Sequence, residues 1–320
     1  MDSWKIKNSY SMDRVFGLES RKTYMGIAIL WIIGYHFYLV QQEFIDTHFT
    51  IFRFLFRNGY VGVDIFFILS AYGLCHSWKQ STAATYYKKR LLRIMPLYIV
   101  FLFLCRLTLN GGGDFGIDAL RQITGLSVFN TSFTRAESMS GEWFVPALIN
   151  LYILFPLLYS GIEKLIDKYS DMGVYVLIIL SVVAARYFPP YISPNYITRF
   201  PIIVIGILTY IYLRKGEENK MNAVYVFTAL FLFIVDKTGL ALSVVVPLVL
   251  KGLNDIKLNL NMKWLSFLGT ISFELYLAHV IPMNFISDKS IISAALLMIG
   301  GTVILALLYK GVNHIIKEIR

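Results

Sequence analysis

Ten apolar stretches, most of them long enough to cross roughly 30 Å of hydrocarbon as a helix, constrain this chain more than any other feature. They fall near residues 24–41, 60–78, 91–109, 143–160, 172–188, 197–213, 221–236, 238–254, 263–283 and 290–310. They predict an all-α polytopic membrane protein of about ten transmembrane helices, with residues 1–320 forming a single membrane domain. Only DKTG (Asp236 to Gly239) separates the seventh stretch from the eighth, so that pair reads either as one hairpin or as a re-entrant feature. Composition agrees, being 57% hydrophobic and only 16% charged, well outside the range of a soluble domain. The net charge of +10 does not indicate nucleic acid, because the cations sit in short clusters between apolar runs and form no basic face. Cys75 and Cys105 lie in or beside apolar segments at no metal-ligand or disulfide spacing, and no metal is expected. The polar first twenty residues and the absence of a small-residue cleavage pattern predict that the first apolar segment stays as a helix.

Lys and Arg in the connections set the orientation. With the amino terminus inside, nine of the 30 cations fall outside (Arg53, Arg57, Arg106, Arg121, Arg135, Arg186, Arg199, Lys237 and Lys289) and the others inside. Both termini are therefore expected in the cytoplasm, residues 1–22 as a cytoplasmic segment and 110–142 as the longest outward connection.

Ionisable groups inside a membrane are costly, so each is a candidate for function. His36 lies thirteen residues along the first helix, roughly 20 Å from its inner end, in the outer third of the bilayer. Asp64, about four residues into the returning helix, is expected at similar depth, where a carboxylate fixes an imidazole's tautomer and stabilises its protonated form. Glu142 and His279 come to the same level, so four titratable groups gather in one layer. Ser272, Tyr276 and His279 follow i, i+4, i+7 spacing on one face, which Glu274 does not share, so Glu274 needs a separate buried partner. On the cytoplasmic side, YYKKRLLRIMPLY (residues 86 to 98) places Arg90 and Arg93 one above the other, after Lys88 and Lys89. Cations at a helix start suit phosphate, and they equally suit contact with anionic membrane lipids.

Four stretches in order then resemble the acyltransferase family 3 membrane proteins: GIAILWIIGYHF, GYVGVDIFFILSAYGL, KKRLLRIMPLY, and the pair WFVPALINLYILFPLL with LGTISFELYLAH. The resemblance covers nearly the whole chain. It implies a bacterial cytoplasmic-membrane enzyme that takes acyl groups, usually acetyl, from acyl-CoA to hydroxyls of extracytoplasmic glycans or lipid-linked sugars. It also implies that His36 is the catalytic histidine and that Arg90 and Arg93 lie at the acyl donor. On that basis Lys88 and Lys89 join the donor site, Asp64 orients His36, and Ser272 or Tyr276 supplies an oxyanion donor. Outer aromatics, with Arg121, Arg135, Arg186 or Arg199, are the groups available to hold a glycan.

Three positions depart from the family pattern. Ala71 stands where glycine is usual, Met25 stands where an arginine is common eleven residues before the histidine, and Leu148 stands where some relatives carry glutamate. Arg21 is one turn away from Met25, but long helical side chains lean towards the amino terminus, so this geometry speaks against Arg21 standing in. Lys22 is no better placed. Two rival classes stay open at this stage: a transporter or flippase of a lipid-linked or acidic solute, and a membrane glycan polymerase.

Overall fold

The computed structural model describes residues 18–109, 116–129, 143–187, 194–235, most of 242–249, and 263–318. Among these the chain is helical, with no strand. The principal helices are α1 (Leu18–Val40), α2 (Gln42–His48), α3 (Thr50–Arg57), α4 (Val61–Lys79), α5 (Ala83–Thr108), α6 (Ile117–Thr124) and α7 (Phe144–Tyr187). After them come α8 (Phe200–Lys215), α9 (Glu218–Val235), α10 (Lys263–Thr270), α11 (Ser272–Ala278) and α12 (Ile291–Glu318). Six helices are long and apolar enough to cross a membrane, and α10 with α11 makes a seventh if that bent pair is one span. The predicted eighth stretch, 238–254, falls largely outside the described residues.

Several boundaries differ from the apolar pattern for local reasons. Helix α5 begins at Ala83 rather than near residue 91, because the Thr82 side chain accepts a hydrogen bond from the Thr85 amide at 3.3 Å and caps it. Arg90 and Arg93 therefore sit two turns inside a helix, away from its free amides. Helix α7 contains both predicted spans, 143–160 and 172–188, with a break at Ser170, whose φ of 49° is not helical. There the Leu165 side chain meets Gly173, eight residues on, which a straight helix would place about 12 Å further along its axis. The predicted span 263–283 breaks at Ile271, and its halves meet at 66°.

Helix α8 is the centre of the bundle. Every residue from Pro201 to Leu213 is buried, which only an all-round apolar helix tolerates. It starts on a proline in its first turn and ends at Gly216, whose left-handed φ of 72° lets its amide bond back to the Leu213 and Tyr212 carbonyls.

Around α8, helix α1 packs tightly against α4 and α10. Where α1 crosses α10, Gly26 lies on the Leu265 carbonyl and Gly269 lies on the Lys22 carbonyl, so the two backbones touch. Beside that crossing Thr23 Oγ1 and Ser266 Oγ share a hydrogen bond of 2.7 Å. Ala at either glycine would place a methyl group inside the facing backbone, and backbone cannot swing aside as a side chain can.

Gly269→Ala is accordingly expected to cost about 1–3 kcal/mol, read as an earlier thermal unfolding transition of the purified protein in detergent. Gly300→Ala, in α12 with open space around it, should leave the transition unchanged or raise it, because alanine favours helix.

Candidate active site

At the end of the bundle where α1 begins, three arginines converge. The Arg21 guanidinium rests on Gly73 of α4, where any side chain would displace it, and lies within the electrostatic reach of Arg93 and Arg90. Arg90 also stands over the Tyr86 ring, 5.9 Å from its centre. Arg21 Nε and Arg90 Nε are buried with no hydrogen-bond partner among the described residues, and no carboxylate among those residues pairs with any of the three. Like charges held together with unused donors are costly unless an anion joins them. Arg21, whose lean towards the amino terminus spoke against its standing in for an arginine at Met25, thus joins Arg90 and Arg93 at this end of the bundle. Arg21 lies within α1, and its side chain fills the gap at Gly73 of α4. Lys88 and Lys89 are exposed on α5.

Beside this cluster lies a cavity with Arg93 in its wall. Arg93, Met25 and Tyr152 line one part of it, and Phe144, Ser272 and Tyr276 another. Met25 and Leu148, two of the departures from the family pattern, are both on its wall, where they give apolar surface. Ser272 and Tyr276 face inward because the break at Ile271 turns α11 away from the line of α10.

The same bend delivers His279 to α1. His279 Nε2 lies 3.1 Å from His36 Nδ1, and His279 Nδ1 lies 3.3 Å from the Leu275 carbonyl. A carbonyl only accepts, so His279 Nδ1 carries the proton and its Nε2, in the neutral ring, is an acceptor. His36 Nδ1 must then donate. That assignment leaves the lone pair of His36 on Nε2. A second imidazole thus does for His36 what a carboxylate does in other bases: it fixes the tautomer and receives the Nδ1 proton's hydrogen bond when the ring becomes charged.

Asp64 takes a different place from the one expected. Along α4, Gly59 faces Trp31 and Tyr35, and Gly62 faces Ala28 and Ile32. The backbone of Asp64 is thus level with Ala28, about two turns inside that of His36. The outer end of α1 is flanked instead by α3, whose Phe56 packs on Gly34. Asp64 is fully buried and accepts a hydrogen bond from Arg199 Nε at 3.1 Å. Arg199 in turn lies over the Trp143 ring, 5.6 Å from its centre. This ion pair escaped the sequence reading, although a signal existed: a buried carboxylate demands a cation, and Arg199 immediately precedes an apolar helix at the matching end of the bundle. Glu274 finds its separate partner, accepting from Asn313 Nδ2 of α12 at 2.7 Å. Glu142 lies outside the described residues.

Removing one partner of a buried pair leaves the other charge unmatched. Asp64→Asn is expected to destabilise the protein by about 3–5 kcal/mol, and the double variant Asp64→Leu with Arg199→Met by much less. Thermal unfolding of the three proteins in detergent makes the comparison, and equal losses would show that the pair contributes nothing as a pair.

In a comparison with known families, the family described as an acyltransferase domain, acyltransferase family 3, matches residues 26–310. No curated protein and no solved structure matches the chain.

Proposed function

Because the chain belongs to acyltransferase family 3 and is a membrane protein, we propose that it moves an acyl group, acetyl in the simplest case, from acyl-CoA to a hydroxyl of a glycan or lipid-linked sugar. The observation that carries this reading is the cavity, which has Arg93 at one part of its wall and Tyr276 at another. The Tyr276 ring meets the edge of His279 at 5.4 Å. Arg21, Arg90 and Arg93 offer unmatched donors to the phosphates of the donor. His36 is fifteen residues beyond Arg21, roughly 22 Å along α1, so phosphate binding and chemistry need a donor with a long flexible arm, which CoA has.

At the far end, His36 Nε2 takes the proton of the acceptor hydroxyl as its oxygen forms a bond to the thioester carbonyl carbon. Tyr276 and Ser272, on the cavity wall, are placed to donate to the oxygen that becomes negative. As the carbon–sulfur bond breaks, the proton on His36 passes to the departing thiolate, which leaves the ring neutral for the next cycle. Direct attack by the same Nε2 on the thioester, with an acyl-histidine formed and then consumed by the acceptor, uses the same lone pair and the same His279 support. Either route takes the amino terminus as cytoplasmic, with the arginines on that side and His36 towards the outside.

The test is to give labelled acetyl-CoA to membrane vesicles with and without the protein and to identify the labelled glycan or lipid. In His36→Ala, transfer should fall by about 10²- to 10⁴-fold. His279→Ala should lower kcat with little change in KM for acetyl-CoA, and Arg21→Ala should raise that KM. Undiminished transfer by correctly folded His36→Ala would remove the histidine from the mechanism.

A further inference from the structure

At the end of the bundle nearer His36, the chain between the spans α1 and α4 forms two short helices. The second of them, α3, has eight residues, about 12 Å of helix and far too short to cross a membrane. It is docked on α1 instead. The Phe56 ring meets Gly34, and Trp31 Nε1 donates to the Leu55 carbonyl at 2.6 Å. Asn58 Nδ2 donates to the Phe54 carbonyl at 2.7 Å and closes the carboxyl end of the helix. Gly34 is two residues from His36, so α3 braces the part of α1 that carries the histidine.

The remaining faces of α3 are unlike one another. Arg53 and Arg57 are four residues apart, share one side of the helix and are both exposed. At about 100° per residue, Leu55 falls opposite the midpoint of the two arginines, and it too is exposed. Phe54 is 72% exposed, and Phe49, just before the helix, is also exposed. With Phe56 against the bundle, this is the layout of a helix lying in the membrane boundary, its cations towards water and Leu55 towards hydrocarbon. The arginines have no carboxylate: among the described residues no ion pair joins either of them. Both lie within the field of Tyr38, but Asp46 of α2 already accepts from Tyr38 Oη at 3.1 Å and from Gln42 Nε2 at 3.3 Å.

We propose that α3 is a binding site for an anionic phospholipid of the leaflet on the His36 side. Arg53 and Arg57 hold the lipid phosphate, whose oxygens match the planar fork of a guanidinium, and the acyl chains run past Phe54 and Leu55. Charge and shape together choose this occupant. A soluble phosphate has no use for the apolar side of the same helix, and a zwitterionic lipid brings its own cation against the arginines. A second copy of the chain, docked symmetrically, would set two like-charged stripes against each other. The bound lipid ties the outer half of α1 to the plane of the membrane, whatever chemistry His36 performs.

Native mass spectrometry reads the site without turnover. The full chain, delipidated in a neutral detergent, is titrated with phosphatidylglycerol or with phosphatidylcholine of the same acyl chains, and the lipids retained and the copies of the chain are counted. Phosphatidylglycerol also meets the other cationic face of the protein, so the quantity compared is the difference between variants. The double variant Arg53→Gln with Arg57→Gln, altered only at exposed side chains, is expected to retain one phosphatidylglycerol fewer than the wild type at the same lipid concentration. Phosphatidylcholine should be retained equally by the two proteins. An unchanged phosphatidylglycerol count in the double variant, or an equal loss of phosphatidylcholine, overturns the assignment. So does a wild-type dimer that the double variant dissociates, which gives the surface to a second copy. Inorganic phosphate supplies the last arm: if, at matched ionic strength, it raises the thermal stability of the wild type but not of the double variant, the arginines serve a soluble anion and the lipid site is removed.

Discussion

The arrangement depends on how closely α1 is held. At Gly26 and Gly269 the backbones of α1 and α10 touch without intervening side chains, and in a membrane such contact replaces the hydrophobic force that drives packing in water. That crossing fixes the inner half of α1 and with it Arg21 and Met25. Five residues beyond Ser266, at Ile271, the chain bends by 66°, and α11 then carries Ser272, Tyr276 and His279 across the bundle. A straight helix in the same position would keep its outer half against the line of α10. The tight crossing and the bend together bring His279 to His36.

The two ends of α1 then do different work through one rigid element. At the inner end, Arg21 reaches the Arg90 and Arg93 cluster through the space left at Gly73. At the outer end, His36 is held by an imidazole whose own proton is fixed on the Leu275 carbonyl. A neutral partner of this kind stabilises a protonated ring less than a carboxylate does, but it adds no charge to the low-dielectric interior, where an unpaired carboxylate is expensive. The carboxylate nearest in sequence logic, Asp64, is spent on Arg199 instead. That pairing fixes the direction of Arg199 beside Trp143.

Much of this was legible in the sequence. Apolar run length predicted the helices, the i, i+4, i+7 spacing predicted that Ser272, Tyr276 and His279 share a face, and the isolation of Glu274 predicted its separate partner. What stayed hidden depends on geometry between helices. Equal counting from the membrane edge placed Asp64 beside His36, but the connection between α1 and α4 contains α2 and α3, so α1 climbs past the start of α4. Hydropathy started α5 eight residues late, because a threonine cap extends a helix through polar sequence. Side-chain preference within one helix set Arg21 towards the amino terminus, and only the gap at Gly73 on the neighbouring helix shows it meeting Arg90 and Arg93 there. Nothing in a single sequence marks Gly73 as the place an arginine fills.

The central proposal is that the arm of CoA runs along the cavity from Arg93 towards Tyr276, which packs against His279. A cysteine at Ser272, on the cavity wall, tests it directly. The purified Ser272→Cys protein is exposed to CoA disulfide, and the mixed disulfide is read by mass spectrometry against the wild-type protein, whose Cys75 and Cys105 are buried. The account predicts that the new cysteine captures CoA and that replacing Arg21, Arg90 and Arg93 by alanine abolishes capture at the same CoA concentration. Capture that is indifferent to the arginines, or no capture by a folded Ser272→Cys protein, would contradict it.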